Sequence, residues 1–194
     1  QQMRKVDPHT SVSVAGFTVE DEEKLKSLSD SFRAVYARWI ATLDTNWWKA
    51  STPHAIIAGG ALASLWHHEA PKDWDMYFPS KEACKRLEDY YSVMPGAGDV
   101  TGTPNFKQDG YNAITVGDKV QLVTSIYGHS LAILKTFDYL HACWYWDSRD
   151  QKLWITPAIL NAIKDKQLVV NNKERLTPER FQKFRDRGWT PRGK

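Results

Sequence analysis

The chain is poor in cysteine and has no long apolar segment. Its two cysteines, Cys84 and Cys143, lie far apart and lack the spacing of a zinc module. No apolar run approaches the roughly 18 residues that a bilayer span requires, and the N-terminus has no basic-then-apolar signal pattern. These absences argue against a disulfide framework, a zinc module and a membrane span. We therefore expect a soluble, cytoplasmic protein with no membrane partner.

Positive charge is concentrated at the C-terminal end. The net charge is +3, but residues 164–194 hold ten Lys or Arg against four acids, an excess of six positive charges that leaves the remainder at −3. Such an asymmetry is typical of an end that binds a polyanion, and equally of a basic helix with its charges in water. The pattern alone leaves both interpretations open.

Hydrophobic periodicity predicts helices alternating with short strands. Apolar residues at three-and-four spacing from Leu25 to Leu43 predict a long helix capped by Thr18. Residues 1–16 are expected to be loose or an edge strand, and 94–105 a mobile lid or a disordered loop. Strands are expected over 54–58, 73–78, 111–116, 119–125, 137–146 and 153–155, and further helices over 61–67, 81–91 and 130–135 and from Thr156-Pro157 and Thr177-Pro178. The fold class is therefore α/β or α+β, a small mixed β-sheet flanked by helices with a basic helical C-terminal tail.

Two short segments of the sequence carry residues of the kind that bind metal ions and phosphates. Asp73 and Asp75 alternate along a predicted strand, so both carboxylates share one face while Trp74 and Met76 point into the core. Mg²⁺ takes few protein carboxylates and completes its shell with water and phosphates, which suits such a pair. Upstream, Ala58-Gly59-Gly60-Ala61 ends a strand and opens a helix. Glycines there allow backbone to approach a triphosphate.

These two segments resemble the DNA polymerase beta superfamily of nucleotidyltransferases, particularly its minimal single-domain members. The resemblance covers roughly residues 54–125. It implies that Asp73 and Asp75 are catalytic and bind two Mg²⁺ (or Mn²⁺) ions. The nucleotide-binding residues that it suggests are Gly59, Gly60, Ala61, Lys72 and Gln121. More loosely, Val120-Gln121-Leu122, Phe137-Asp138-Tyr139 and residues 183–188 resemble small chains of this type encoded by phages and large viruses, which would act in the host cytoplasm.

The chain departs from the family at the third acid. The family usually adds a carboxylate on a neighbouring strand, which completes the metal site and accepts the proton of the attacking hydroxyl. Gln121 stands where that acid is expected, and a neutral amide is a poorer Mg²⁺ ligand and no base. Asp138, at the start of the next predicted strand, is the best substitute, and Asp118 in the hairpin turn is worse placed. Turnover is therefore expected to depend on Asp138.

Several other residues have two interpretations each. Lys72 either pairs with a phosphate or offsets the charge of the Asp pair, while Trp66 or Tyr77 is a candidate for stacking on a base. The adjacent His67 and His68 are expected at the surface. His141 and Cys143 would alternate onto one strand face as core or pocket lining. Arg180, Lys183 and Arg187 share a helix face that either grips an RNA or DNA backbone or lies in water while Phe181 and Phe184 dock the helix.

The sequence thus predicts one domain over residues 1–194, with an N-terminal helical extension (1–53), a catalytic core (54–155) and a basic helical tail (156–194). The leading hypothesis is Mg²⁺-dependent transfer of an NMP from an NTP to a hydroxyl of an RNA 3′ end, such as that of tRNA, or of a protein side chain. The alternative is a degenerate fold that binds nucleotide or RNA as a regulator. A third possibility is a purely structural or partner-binding viral protein whose Asp73 and Asp75 are surface residues.

Overall fold

A mixed eight-stranded sheet forms the centre of the protein. The computed structural model describes residues 1–50, 54–92, 100–104, 111–117 and 119–192. The sheet strands are β1 (Arg4–Val6), β2 (Ile56–Ala58), β3 (Trp74–Phe78), β4 (Val100–Pro104), β5 (Tyr111–Val116), β6 (Val120–Tyr127), β7 (Tyr145–Asp147) and β8 (Lys152–Ile155). Their order across the sheet is β1-β8-β7-β2-β3-β6-β5-β4, and only the β3/β6 pair is parallel. The predicted fold class, a mixed sheet flanked by helices, is confirmed.

Helices surround this sheet. They are α1 (Val19–Ala41), α2 (Thr45–Ala50), α3 (Ala61–Trp66), α4 (Lys81–Ser92), α5 (Ser130–Leu134), α6 (Pro157–Lys164) and α7 (Pro178–Asp186). The predicted caps hold: Thr18, Thr156 and Thr177 each accept a hydrogen bond from a first-turn amide. Within the described part of the chain, no helix is both long and apolar enough to cross a membrane.

Aromatic packing decides which face of β3 carries polar groups. The ring of Trp74 packs edge-on against Phe32 of α1, with ring centroids 5.7 Å apart, and Phe78 contacts Trp39 of the same helix at 5.9 Å. Because side chains alternate along a strand, Asp75 and Tyr77 face away from α1. The predicted assignment of Trp74 and Met76 to the core side is confirmed.

Three secondary-structure predictions are wrong. Residues 137–146 do not form one strand: a 3₁₀ turn occupies Leu140–Ala142, and only β7 is extended. Asp138 therefore does not begin a strand, and His141 and Cys143 do not alternate on one. The reason is a long-range contact, because Leu140 N–H donates to the Val169 carbonyl at 2.8 Å and draws the chain out of the sheet.

The other two errors concern a loop and the tail. Part of the expected loop over 94–105 is strand β4, and residues 93–99 and 105 lie outside the described residues. The turn residue Asp118 also lies outside them. The tail is not purely helical. It contains two short strands that pair in parallel, β9 (Gln167–Leu168) near its beginning and β10 (Thr190–Pro191) near its end. At the other end of the chain, the expected edge strand is present as β1.

The C-terminal helix is docked through one aromatic side chain. Phe184 is 9% exposed and packs against Tyr139, His141 and Trp189, whereas Phe181 is 38% exposed. The expectation that both phenylalanines dock this helix is therefore wrong for Phe181, whose ring stays exposed.

Truncating the docked ring is expected to destabilise the protein far more than truncating the exposed one. Phe184→Ala should lower the free energy of unfolding by about 3 kcal/mol because it leaves a cavity in the aromatic cluster. Phe181→Ala, the matched control, should change it by less than about 0.5 kcal/mol. Denaturant unfolding of both variants measures the difference, and equal losses would contradict this packing.

Candidate functional site

The two motif carboxylates lie at the start of β3. Asp73 is exposed and directly precedes the strand, while Asp75 is half-buried within it. Asp75 is aligned with Ala58 of β2 on one side and with Gln121 of β6 on the other. The residue of β6 that is aligned with Asp75 thus carries an amide rather than an acid.

Gly59 allows the chain to pass close to Asp75. Its φ is +100°, and a Cβ atom there would lie 3.0 Å from Asp75 Oδ2. Its N–H donates to the Ala142 carbonyl at 3.2 Å, and its carbonyl accepts from Trp144 Nε1 at 2.8 Å. Both polar groups of Gly59 are therefore used within the protein, so its amide is not free for a phosphate.

Gly60 is different, because it leaves open space above the start of α3. Its φ is −77°, and a Cβ added to it would meet no atom within 4 Å. Its carbonyl accepts from Ser64 N–H, and α3 begins at the next residue, Ala61. Gly60 lines the same cleft as Asp75, whereas Ala61 is only 2% exposed.

Burial and like charge make Asp75 costly to ionise. Burial raises the pKa of its carboxyl to about 6, the negative charge of Asp73 adds to this effect, and the Arg180 guanidinium opposes it. Two close carboxylates of this kind attract a cation.

The cleft that contains Asp73 and Asp75, here called the motif cleft, is rich in positive charge. Its basic side chains are Lys72, Lys166, Arg180, Lys183 and Arg187. The pKa of Lys183 is lowered, first by the charge of Lys72, then by burial and by the two arginines, while Asp73 opposes the shift. Residues of the basic tail therefore line the same cleft as the Asp pair.

Arg180, Lys183 and Arg187 were singled out as a nucleic-acid contact, and the structure brings them together with Lys72 and the two aspartates. Lys166 and Glu69 also line this cleft, and of these Lys166 was not singled out from the sequence. Glu69 forms ion pairs with Lys166 at 3.7 Å and with Arg187 at 3.9 Å. The excess positive charge of the tail was the sequence signal for these basic side chains, but it does not show which of them line the cleft.

Asp138 lies in a second cleft beside the first. This aromatic cleft includes Gly59, Asp75, Tyr77, Phe137 and Asp138. Both clefts are lined by Gly60, Asp75, His141, Arg180 and Phe184. Asp138 is 8% exposed and forms an ion pair with Arg180. It therefore shares a cleft with Asp75 but is held by a cation.

The remaining candidates have structural partners. His67 shares a hydrogen bond between its Nε2 and the Ile163 carbonyl at 2.7 Å, which ties α3 to α6. Trp66 is buried under Lys24, whose Nζ lies 4.2 Å from the ring centroid. Tyr77 lines the aromatic cleft. Of the two aromatic residues considered for base stacking, Tyr77 faces a cleft and Trp66 is packed against α1.

His141 lines both clefts, as expected for core or pocket lining, but from a 3₁₀ turn rather than from a strand. It is 2% exposed, and burial lowers the pKa of its imidazole to about 4. Its ring lies 4.1 Å from that of Trp189, centroid to centroid, and its Nδ1 has no hydrogen-bond partner among the described residues. A neutral, buried imidazole at the junction of the clefts adds no charge to either.

The donor set fits a divalent cation that also binds substrate. Among the described residues, no group of three or more His, Cys, Asp or Glu side chains is placed to hold a metal. Asp73 and Asp75 supply two carboxylates, and Mg²⁺ ordinarily completes such a set with water and phosphate oxygens. The raised pKa of Asp75 is consistent with a site whose charge is balanced on binding.

Solved structures share this fold. A Bacillus stearothermophilus CCA-adding enzyme in complex with CTP is 14% identical with a TM-score of 0.54, covering 81% of this chain and 41% of that one. A tRNA nucleotidyltransferase complexed with a primer tRNA and an incoming ATP analog is 16% identical with a TM-score of 0.51, covering 75% and 45%. The chain thus spans less than half the length of either structure. The protein has a nucleotidyltransferase-like fold.

A match to a family model assigns the chain more specifically than its fold does. The model described as Gad2, Gabija anti-defense 2 family protein, matches residues 30–166, which is more than half of the chain. The chain belongs to this family. No curated protein matches it.

The two motif glycines are expected to respond differently to alanine. Gly59→Ala should cost about 1–3 kcal/mol of folding free energy because of its positive φ and the close Asp75 carboxylate. Gly60→Ala should stay within about 0.5 kcal/mol because its φ is ordinary and its Cβ meets open space. Denaturant unfolding of both variants measures this, and a tolerated Gly59→Ala would contradict the geometry.

The raised pKa of Asp75 predicts a pH-dependent gain in stability when its charge is removed. A folded-state pKa of about 6 against the ordinary value of 3.8 means that ionisation disfavours the fold, a penalty that grows as the pH rises between those values. Asp75→Asn should therefore stabilise the metal-free protein by about 1–3 kcal/mol at neutral pH and by little below about pH 4.

The control for that measurement is Asp30→Asn, which removes an exposed acid of α1 that pairs with Arg33. It should leave unfolding nearly unchanged at both pH values. Thermal unfolding across the pH range, without divalent metal, provides the comparison. A loss of stability in Asp75→Asn at neutral pH would show that its carboxylate is not under electrostatic strain.

Proposed function

We propose that the protein is a Mg²⁺- or Mn²⁺-dependent nucleotidyltransferase that moves an NMP from an NTP to a hydroxyl group and releases pyrophosphate. The observation that carries the proposal is that Asp73 and Asp75 line one cleft together with basic side chains of the tail. A nucleoside triphosphate with its metal presents the complementary charges. The nucleotidyltransferase fold supports the same chemistry.

Each part of the motif cleft has a proposed task. Lys72, Lys183 and Arg187 bind the phosphates as charge partners, and the open space at Gly60 allows a phosphate to approach the backbone there. Asp73 and Asp75 would hold the metal. When bound, the metal supplies charge neutralisation at the transferred phosphoryl group and acidifies the attacking hydroxyl.

The reaction itself is a substitution at the α-phosphorus. The acceptor oxygen forms a bond to that phosphorus, the bond to the bridging oxygen of the β-phosphate breaks, and pyrophosphate leaves with the electron pair. The hydroxyl proton goes to a base. Asp138 is the proposed base, because its carboxylate lines the aromatic cleft next to Asp75.

The acceptor is proposed to be an RNA 3′ end or a protein side chain. One structural neighbour was solved with a primer tRNA, which supports the first class. The family description, Gabija anti-defense, supports a role against that defence system, with a protein or RNA component of the infected cell as acceptor. Under this proposal the protein is phage-encoded and works in the host cytoplasm.

A second candidate function is nucleotide binding without transfer. Gln121, an amide, is aligned with Asp75 on the parallel neighbouring strand, and Asp138 is paired with Arg180. A site with two carboxylates and no free base would bind a nucleotide as a regulatory ligand. This candidate predicts NTP-dependent stabilisation and no label transfer.

Label transfer from each α-labelled NTP to total RNA or cell lysate, with Mg²⁺ or Mn²⁺, tests the proposal. Asp73→Asn and Asp75→Asn should each reduce transfer on the order of 100-fold or more, because the metal contributes several kcal/mol to the barrier. Asp138→Asn should reduce turnover comparably. Asp30→Asn is the control and should transfer like the wild type.

The outcomes separate the candidates. Transfer that survives in Asp73→Asn and Asp75→Asn would exclude this site as its source. Thermal stabilisation by Mg-NTP without transfer would support the regulatory binder. The absence of both transfer and stabilisation would contradict both functions.

A further inference from the structure

Arg180 stands between the two clefts. It follows the Thr177 cap of α7, its guanidinium lies over the Phe184 ring at 5.3 Å, and its side chain is 50% exposed. It lines both the motif cleft and the aromatic cleft. This side chain can therefore reach ligands on either side without movement of the backbone.

In the free protein the guanidinium is bound to Asp138. Arg180 Nε donates to Asp138 Oδ2, and Nη2 approaches Oδ1 at 3.4 Å. The carboxylate also accepts from the Tyr139 N–H at 2.9 Å. Asp138 is fixed and buried, while Arg180 is half-exposed, so the arginine is the partner that is free to move.

The charges on the other side of Arg180 favour an anion. Lys183 follows it on α7, Arg187 directly follows the end of that helix, and both line the motif cleft together with Lys72. Without an anion these cations repel one another, as the lowered pKa of Lys183 indicates. A triphosphate bound there carries several negative charges and would compete with the single charge of Asp138 for the guanidinium.

We propose that Arg180 is a positioning residue that exchanges Asp138 for the phosphates of the bound nucleoside triphosphate. In the free protein Arg180 neutralises Asp138, and on nucleotide binding it turns to the phosphates and leaves the carboxylate unpaired in the aromatic cleft. Asp138 then accepts the proton of the acceptor hydroxyl as the oxygen bonds to the α-phosphorus and pyrophosphate departs. The inference rests on the proposed function and adds a link between nucleotide binding and the state of the base.

The exchange makes an unusual prediction for binding. If Asp138 competes for Arg180, then Asp138→Asn should tighten NTP binding by about 3- to 10-fold while lowering turnover. Arg180→Gln should weaken NTP binding by about 10-fold. In the Arg180→Gln background, Asp138→Asn should no longer tighten binding, because there is no guanidinium to release.

Calorimetric titration of Mg-NTP into the wild type, both single variants and the double variant measures this cycle. Each of ATP, CTP, GTP and UTP is titrated in turn, and the one that binds wild type most tightly is used throughout. Arg180→Lys is a second test, since it keeps the charge but not the forked geometry and should bind between wild type and Arg180→Gln. Circular dichroism establishes that each variant is folded.

The control cycle uses Asp21→Asn and Lys164→Gln. Lys164 of α6 pairs with Asp21 of α1 at 2.7 Å, so this ion pair also joins the C-terminal region to the core, and neither residue lines the two clefts. These variants should leave NTP affinity unchanged. A comparable effect there would mean that affinity follows general stability, and would overturn the exchange.

Three other results are decisive. Weaker or unchanged binding by Asp138→Asn would make the Arg180 pair purely structural and overturn the inference while leaving the proposed function intact. Equal tightening in both backgrounds would attribute the effect to simple charge repulsion and also overturn it. Failure of the folded wild type to bind any Mg-NTP would overturn the proposed function and the inference together.

Discussion

The site depends on one electrostatic constraint: two carboxylates at the start of β3 are held close together, and one of them is half-buried. Asp75 cannot withdraw into water, because β2 and β6 flank it and the backbone of Gly59 lies against its oxygen. The Gly59 backbone is in turn held by Ala142 and Trp144. The fold thus keeps the pKa of Asp75 raised, and a positive charge that enters the cleft would stabilise its ionised form.

The basic tail supplies that positive charge from side chains whose positions depend on how α7 packs. An aromatic cluster of Tyr139, His141, Phe184 and Trp189 anchors α7, and the short β9/β10 pair closes the tail behind it. Basic side chains of the tail therefore line the same cleft as the two carboxylates. Among the described residues, Arg180 pairs with Asp138, while Lys166 and Arg187 pair with Glu69. The cleft thus offers both signs of charge to a ligand.

Local patterns were sufficient to predict much of this architecture. Alternation along residues 73–78 predicted which face of β3 carries the carboxylates, and the Thr-Pro pairs predicted where α6 and α7 begin. The contacts that build the site are long-range and have no local signature. Arg180 and Asp138, which form an ion pair, are 42 residues apart in sequence. The alternating aromatic segment around His141 predicted a strand, but the structure has a 3₁₀ turn there, with a hydrogen bond from Leu140 to Val169. Strand propensity is a local property of the sequence, so it does not predict a hydrogen bond between residues that are far apart in the chain.

We propose that Asp73 and Asp75 bind a metal-bound triphosphate whose phosphates lie beside basic side chains of the same cleft. A crystal structure of the protein with Mn²⁺ and a non-hydrolysable NTP tests this, because anomalous scattering locates the metal. We expect a metal peak at the Asp73 and Asp75 carboxylates, with phosphate oxygens beside Lys72 and Lys183. A nucleotide bound elsewhere, or no metal at the aspartates when the nucleotide is present, would contradict it.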